Sequence, residues 1–166
     1  MMEIVQFAKQ DTFKDKAEAL FAKHKALIST VLPSADIQHV GSTAIPGSLT
    51  KGDLDIQVRV AAEDFDNAVQ ALSNFYLLNE GSTRTETFRA FKDDTTDPPL
   101  GVQLTVIDSE LDIFWRLRDV LLMNDLYRLK YDELKKNYEG KDMEEYRAAK
   151  NEFFEWLMST PEYNRL

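Results

Sequence analysis

The segment from His39 to Val58 joins two apolar stretches through a Gly-Ser turn, and the second stretch carries two aspartates. Ten residues separate the pair Gly41 and Ser42 from Asp53, and a single leucine separates Asp53 from Asp55. On a β-strand, residues i and i+2 project from the same face, so both carboxylates would aim at one point. Paired carboxylates are ligands for a hard cation such as Mg²⁺ or Mn²⁺. The alternative is that the aspartates are ordinary turn residues at the start of a strand.

The Gly-Ser turn adds a second function to this segment. Gly41 has no Cβ to obstruct a ligand, and the Ser42 hydroxyl with nearby backbone N–H groups can approach phosphate oxygens. We expect the turn from 41 to 47 to form the wall of the main pocket, and replacement of Gly41 by Val to abolish anion binding at little cost in stability. Turn capping is the structural alternative for Ser42. A phosphate-binding turn beside two metal-binding carboxylates predicts nucleotidyl transfer.

The same residues resemble a known family. Gly-Ser, a ten-residue gap and Asp-Leu-Asp-Ile resemble the signature of the nucleotidyltransferase superfamily related to DNA polymerase beta. More narrowly, the run from His39 to Lys51, followed by Asp55 and Ile56, is similar to the hallmark segment of the GrpB family. The likeness extends more weakly from about residue 30 to about residue 158. The resemblance implies a nucleotidyltransferase-like core, with Asp53 and Asp55 as the catalytic and metal-binding pair.

Further site residues follow from the resemblance. It implies that Gly41, Ser42 and Thr43 in the turn, Lys51 before the aspartates, and Arg89 on a later strand bind substrate. Relatives carry an apolar residue where Asp53 stands, so Asp55 fits the family pattern better. On the stretch from 101 to 107, relatives have histidines and active superfamily enzymes a third carboxylate. This chain has Gln103 and Thr105 there, and Gln103 is the polar side chain expected to face the site.

Composition limits the other functions. The chain has 166 residues, a net charge of −9 and no cysteine. The acidic charge argues against bulk nucleic-acid binding, which needs clustered Lys and Arg, but permits a small nucleotide. No apolar run reaches the length that spans a bilayer, and the amino terminus lacks a basic secretory n-region. We therefore expect a cytoplasmic protein without thiol chemistry, disulfides or a membrane partner. The sequence leaves its oligomeric state open.

The periodicity predicts a mixed α+β fold with a small β-sheet flanked by helices. Helices are predicted over 13–31 and 64–74, and strands over 37–40, 54–60, 84–92 and 101–107. From residue 110 the pattern is helical, with capping boxes expected at Ser109–Asp112 and Asp142–Glu145. We predict one domain, 1–166, comprising a nucleotidyltransferase-like sheet core over 1–108 and a helical C-terminal layer over 109–166.

The sequence leaves two functions of this fold open, and an unrelated acidic interaction domain is a third possibility that the motif disfavours. The first is a nucleotidyltransferase-fold protein that binds a nucleotide or similar phosphate ligand with Mg²⁺ and transfers a nucleotidyl group to an acceptor. The second is a catalytically weak or inactive member of that fold that binds a small ligand or a protein. Gln103 in place of a carboxylate favours low turnover, since an amide is a poorer metal ligand and no base.

Overall fold

A five-stranded mixed sheet organises the computed structural model, which describes residues 3–166. Met1 and Met2 of the predicted domain lie outside the described residues. The sheet order is β2-β4-β7-β6-β5, with β4 and β7 parallel and every other pair antiparallel. A separate two-stranded sheet pairs β1 with β3. The strands are β1 Ala8–Lys9, β2 Asp36–Val40, β3 Leu49–Thr50, β4 Leu54–Val60, β5 Leu77–Leu78, β6 Phe88–Asp93 and β7 Leu100–Val106.

Six helices cover the two faces of this sheet. Helices α1 and α2 pack on one face through the larger apolar core, which includes Ile28, Leu72 and Phe91. The C-terminal helices lie over the other face and have a second core around Leu117 and Leu157. The helices are α1 Lys14–Val31, α2 Phe65–Ser73, α3 Phe114–Met123, α4 Asp125–Tyr138, α5 Met143–Met158 and α6 Pro161–Asn164. None of the helices within residues 3–166 combines the length and apolarity needed to cross a membrane.

The alternation along β4 explains why a polar site can form inside the molecule. Leu54, Ile56, Val58 and Val60 enter the core beneath α1 and α2. The residues between them face the C-terminal helices, because successive strand side chains point to opposite faces. Those residues are Asp55, Gln57 and Arg59. Neighbouring β7 repeats the pattern with Gly101, Gln103 and Thr105, which pair in register with the same three residues.

A buried polar network fixes the C-terminal layer to this face. Arg59 donates two hydrogen bonds to Asp112, at 2.8 and 2.7 Å, and Gln57 Nε2 donates to Asp112 at 2.8 Å. Gln57 Oε1 accepts from the Trp115 backbone at the start of α3. The expected capping box at Ser109–Asp112 is therefore wrong, because the Asp112 carboxylate faces Arg59 instead of a helix N-terminus. Asp142 is the N-cap residue of α5, but its side chain makes no capping hydrogen bond.

The structure confirms the mixed α+β class and most predicted elements. Strand β4 has the predicted bounds, while β2, β7, α1 and α2 agree within one residue at each end. The predicted strand over 84–92 begins only at Phe88. The reason is local, because Thr87 N donates to Thr85 Oγ1 and Thr85 N donates to Phe88 O, which folds this stretch into a turn.

Candidate functional site

The Gly-Ser turn lies at the end of β2, directly beside the carboxylate of Asp55. Gly41 has φ +75°, and Ser42–Ala44 form a short 3₁₀ turn closed by Ala44 N donating to Gly41 O at 3.1 Å. A Cβ on Gly41 would lie 2.4 Å from Asp55 Oδ2. Glycine is thus required twice, for the backbone conformation and for the close approach of the carboxylate.

Thr43 has a different place from the one that the motif implies. Its side chain is buried, and its hydroxyl donates to Asp53 O at 3.1 Å. Thr43 Oγ1 also lies 2.9 Å from His39 Nε2. Because the hydroxyl proton of Thr43 is used in the bond to Asp53 O, His39 is the donor in this second bond. Burial lowers the pKa of His39 to about 4, with Arg118 contributing, which leaves the imidazole neutral. Thr43 therefore ties the turn to the strand that carries the aspartates and does not line the cavity.

The two aspartates differ in environment. Asp53 has a side chain 42% exposed and lies 3.6 Å from the Lys51 ammonium. Asp55 lies deeper, and burial together with the charge of Asp53 raises its pKa to about 6. Lys150 and Lys51 act in the opposite direction. A carboxylate that is desolvated beside a like charge is stabilised by any cation placed between the two.

Gln103 on β7 projects from the same face of the sheet as Asp55 on the neighbouring strand β4. A Cβ on Gly101 would lie 3.1 Å from Asp55 Oδ1 and 3.3 Å from Gln103 Nε2, so both side chains border the space above this glycine. The amide of Gln103 lowers the pKa of Asp55 by hydrogen bonding. Gln103 Oε1 is buried and accepts no hydrogen bond from any residue in 3–166. A buried amide oxygen without a hydrogen-bond donor is uncommon in folded proteins.

A cavity of about 260 Å³ brings these groups together between the sheet and the C-terminal helices. Gly41, Ser42, Lys51, Asp53, Asp55 and Gln103 all line it. The C-terminal helices contribute apolar side chains and four basic or hydroxylated side chains that were not among the predicted site residues. The remaining lining residues are Phe7, Val40, Ile45, Thr50, Phe114, Leu117, Arg118, Leu121, Tyr131, Tyr146, Lys150 and Phe154.

Lys150 on α5 is a basic side chain whose charge interacts with both carboxylates. Its pKa is lowered, first by burial and then by the charge of Lys51, while Asp55 and Asp53 raise it. Two ammonium groups and two carboxylates therefore share one partly desolvated cavity. Such mixed charge suits a ligand that brings anionic oxygens to the lysines and a cation to the aspartates.

Lys135 on α4 holds the Gly-Ser turn through hydrogen bonds. Its side chain is fully buried, at 0% exposure. Its ammonium donates to Ser42 Oγ at 3.1 Å, to Ser48 Oγ at 3.2 Å and to Leu49 O. Burial lowers the pKa of Lys135 to about 7, against the effect of Asp132. Ser42 is thus held by a lysine more than ninety residues further along the chain.

A sequence signal for these lysines existed. Tyr131 and Lys135 are spaced i, i+4 on α4, and Tyr146 and Lys150 repeat that spacing on α5. Residues at this spacing lie on one helix face. The two tyrosine hydroxyls are 3.3 Å apart, and the rings line the cavity. A tyrosine followed by a lysine at i+4 on both helices is therefore the pattern that indicates these lysines.

Arg89 lies away from the site. It belongs to the face of β6 that covers α2, where its guanidinium is 5.5 Å from the centre of the Phe65 ring. Its Nη2 donates to Thr85 O at 3.2 Å. The cavity is on the opposite face of the sheet, so the structure contradicts a substrate contact from Arg89. Ala90 pairs with Gln103 and therefore shares the cavity face of the sheet. Neighbouring residues of a strand point to opposite faces, so Arg89 lies on the other face.

Comparison with known proteins shows the family of this chain. The model of the GrpB protein family matches residues 11–160, most of the chain. The chain belongs to the GrpB family. Among the relatives of this GrpB-family chain, a UPF0157 protein of Vibrio cholerae serotype O1 is 33% identical over 154 residues, covering 93% of this chain and 82% of the relative. The glutamate-rich protein GrpB of Alkalihalophilus pseudofirmus is 30% identical over 162 residues, covering 89% and 92%.

Solved structures extend the comparison to the fold. The crystal structure of the conserved protein GrpB from Enterococcus faecalis has a TM-score of 0.62 at 19% identity, covering 79% of this chain and 81% of the other. The GrpB-family fold is therefore shared. The Cid1 poly(U) polymerase with MgGTP bound gives a TM-score of 0.45 at 12% identity, covering 76% of this chain and 44% of the polymerase.

Proposed function

We propose that this GrpB-family protein binds a nucleoside triphosphate together with Mg²⁺ or Mn²⁺ in the cavity, with weak nucleotidyl transfer to an acceptor hydroxyl. One observation carries the proposal. The cavity brings the Gly41–Ser42 turn, the Asp53 and Asp55 carboxylates and the lysines Lys51 and Lys150 to a single space. These are the groups that a metal–polyphosphate ligand requires.

The residues fit a magnesium ion. Asp53 and Asp55 offer hard oxygen ligands from one face of the chain, and burial, followed by repulsion from Asp53, raises the pKa of Asp55. Within residues 3–166, no cluster of three or more His, Asp or Glu side chains is placed to hold a metal. Mg²⁺ commonly binds through one or two carboxylates and completes its shell with phosphate oxygens and water. Two carboxylates therefore suit a metal that arrives with the nucleotide.

The chain supplies positive charge and hydrogen-bond donors for the phosphates. Lys51 and Lys150 reach the cavity from the sheet side and from α5. The Ser42 hydroxyl, held by Lys135 at 3.1 Å, presents a fixed donor at the turn. A local cluster of this kind can bind a small polyanion in a protein with a net charge of −9, because nearby charges dominate in a partly desolvated cavity.

Transfer by these residues would be slow. Asp53 and Asp55 would hold the metal, which when bound would supply positive charge to the phosphates during attack of the acceptor oxygen on the α-phosphate and departure of pyrophosphate. The acceptor hydroxyl would have to give its proton to a carboxylate of the cavity, and Asp53 and Asp55 both line it. Both carboxylates would also serve the metal. The Gln103 amide can orient a bound ligand by hydrogen bonding, but it accepts no proton at neutral pH.

A non-catalytic binding module is the second candidate. The observation in its favour is the buried, unpaired Gln103 Oε1, a neutral group at the position where a third carboxylate would serve catalysis. A site of this kind would keep ligand affinity and lose turnover. Pyrophosphate release separates the two candidates, because only the enzyme produces it.

Calorimetric titration tests the binding proposal. ATP with Mg²⁺ is expected to bind the unmodified protein, and Asp55→Asn is expected to abolish the metal dependence. Lys150→Met is expected to weaken ATP binding by roughly tenfold, the loss of one charge-assisted contact. Lys136→Met on the exposed face of α4 is the matched control and should bind as the wild type does. Equal affinities for all four proteins, or no binding by the wild type, would overturn the proposal.

Pyrophosphate release tests transfer. Labelled ATP with Mn²⁺ is incubated with a panel of small alcohols and sugars, and Asp55→Asn provides the background. We expect slow, Asp55-dependent release. Robust release would contradict the low-turnover assignment, and release that Asp55→Asn leaves unchanged would exclude this cavity as its source.

A further inference from the structure

The N-terminal segment, residues 3–10, runs from the α4–α5 loop to the Gly-Ser turn and borders the cavity on the way. At its start it is tied to the helical layer by three backbone hydrogen bonds. Val5 N donates to Lys141 O at 3.0 Å, Gly140 N donates to Val5 O at 2.9 Å, and Met143 N donates to Glu3 O at 2.8 Å. Val5 is fully buried against Met143 and Tyr146.

The other end of the N-terminal segment is tied to the sheet side. Ala8 and Lys9 form β1, which pairs with β3 next to Lys51. Gln10 Nε2 donates to Thr43 O at 2.8 Å, and Gln10 N donates to Ser48 O at 2.7 Å. The segment therefore spans both walls of the cavity and is fixed at each end.

Phe7 is the residue of this segment that lines the cavity. Its backbone N–H donates to Glu139 Oε2 at 2.8 Å, which holds the backbone of the segment at this residue. The ring packs edge-on against Tyr146, with 5.1 Å between centroids. Tyr146 lies one helical turn before Lys150, so the ring borders the lysine side of the cavity. Residue 7 also lies outside the 11–160 region that the family model matches.

We infer that Phe7 binds the planar organic part of the ligand, a nucleobase, and so determines specificity beyond the phosphates. The inference rests on the proposed function. Aromatic rings bind bases by stacking, whatever the base, because every base has a π-face. Phe7 offers the cavity an uncharged aromatic surface beside the lysines, which suits the planar base of a ligand whose phosphates contact those lysines. A fixed ring binds at a low entropic cost.

Two ligands and two variants separate this role from phosphate binding. Inorganic tripolyphosphate and ATP, each with Mg²⁺, carry similar phosphate chains, but only ATP has a base. Phe7→Leu keeps an apolar side chain of similar volume and removes the ring, whereas Phe7→Trp keeps an aromatic face. Phe75→Leu changes a phenylalanine in the α2–β5 connection that is absent from the cavity wall and is the matched control. Thermal melts establish that each variant is folded.

We expect the wild type to bind ATP more tightly than tripolyphosphate. Phe7→Leu should weaken ATP about tenfold and leave tripolyphosphate unchanged, while Phe7→Trp and Phe75→Leu should retain ATP affinity. Equal loss of both ligands in a folded Phe7→Leu, or no loss of ATP, would overturn the inference and leave the phosphate site standing. If the wild type binds tripolyphosphate and ATP equally, the inference also fails. If it binds neither, the proposed function fails with it.

Discussion

Gly41 and Asp55 occupy complementary space, since a Cβ built on Gly41 would stand 2.4 Å from Asp55 Oδ2. The turn proposed to bind phosphate and the strand proposed to hold the metal are therefore fitted to each other. Gly41 also has φ +75°, a conformation that L side chains rarely adopt. This geometry changes the expectation that substitution of Gly41 would cost little stability.

Replacement of Gly41 by Ala is expected to lower the free energy of unfolding by about 2–4 kcal/mol, combining backbone strain with displacement of the Asp55 carboxylate. Gly140→Ala separates the two contributions. Gly140 has φ +76°, yet nothing lies within 4 Å of its Cβ position, so its substitution measures strain alone, about 1–2 kcal/mol. Urea unfolding of both variants gives the comparison. Equal losses in the two would show that contact with Asp55 adds nothing.

Asp55→Asn is expected to stabilise the metal-free protein at neutral pH while removing metal affinity. The pKa of Asp55 rises from 3.8 to about 6 on folding, so the free energy of unfolding falls as the pH rises from about 4 to about 6 and stays low above pH 6. The asparagine variant should be more stable by about 1–2 kcal/mol at pH 7 and level with the wild type near pH 4. Unfolding in the presence of a chelator measures this. Asp66→Asn, on α2 across the sheet, should show no such pH-dependent gain.

Local and distant parts of the site differ in how far the sequence predicts them. The turn and both aspartates lie within fifteen residues, and strand periodicity alone puts Asp55 on the polar face of β4. Lys135 and Lys150 come from α4 and α5, far along the chain from the turn, and no local pattern encodes how these helices pack against it. Their approach to the turn is a tertiary property. Strand parity would have excluded Arg89, and only burial shows that Thr43 serves the fold.

Lys135 gives the protein a pH-dependent stability. Its pKa is lowered from 10.5 to about 7 on folding, so above pH 7 the unfolded chain binds the extra proton and stability rises with pH. The rise should be roughly 1 kcal/mol per pH unit between pH 7 and 9, with Lys150 adding in the same direction. Lys135→Met should flatten the profile, and Lys136→Met should not. Parallel profiles for wild type and Lys135→Met, measured by urea unfolding at several pH values, would show that Lys135 does not titrate there.

Gln103→Glu tests whether a missing carboxylate limits this site. Gln103 and Asp55 border the same space above Gly101, so the new carboxylate would join the two existing ones on one face. Without metal, a third negative charge should destabilise the fold by about 1 kcal/mol at pH 7, since like charges repel in a desolvated cavity. With Mn²⁺, affinity should rise roughly tenfold for an added charged oxygen ligand, and pyrophosphate release should increase. Gln70→Glu on the exposed side of α2 makes the same chemical change away from the cavity and should alter neither property. Unchanged Mn²⁺ affinity in a folded Gln103→Glu would show that position 103 does not face the metal.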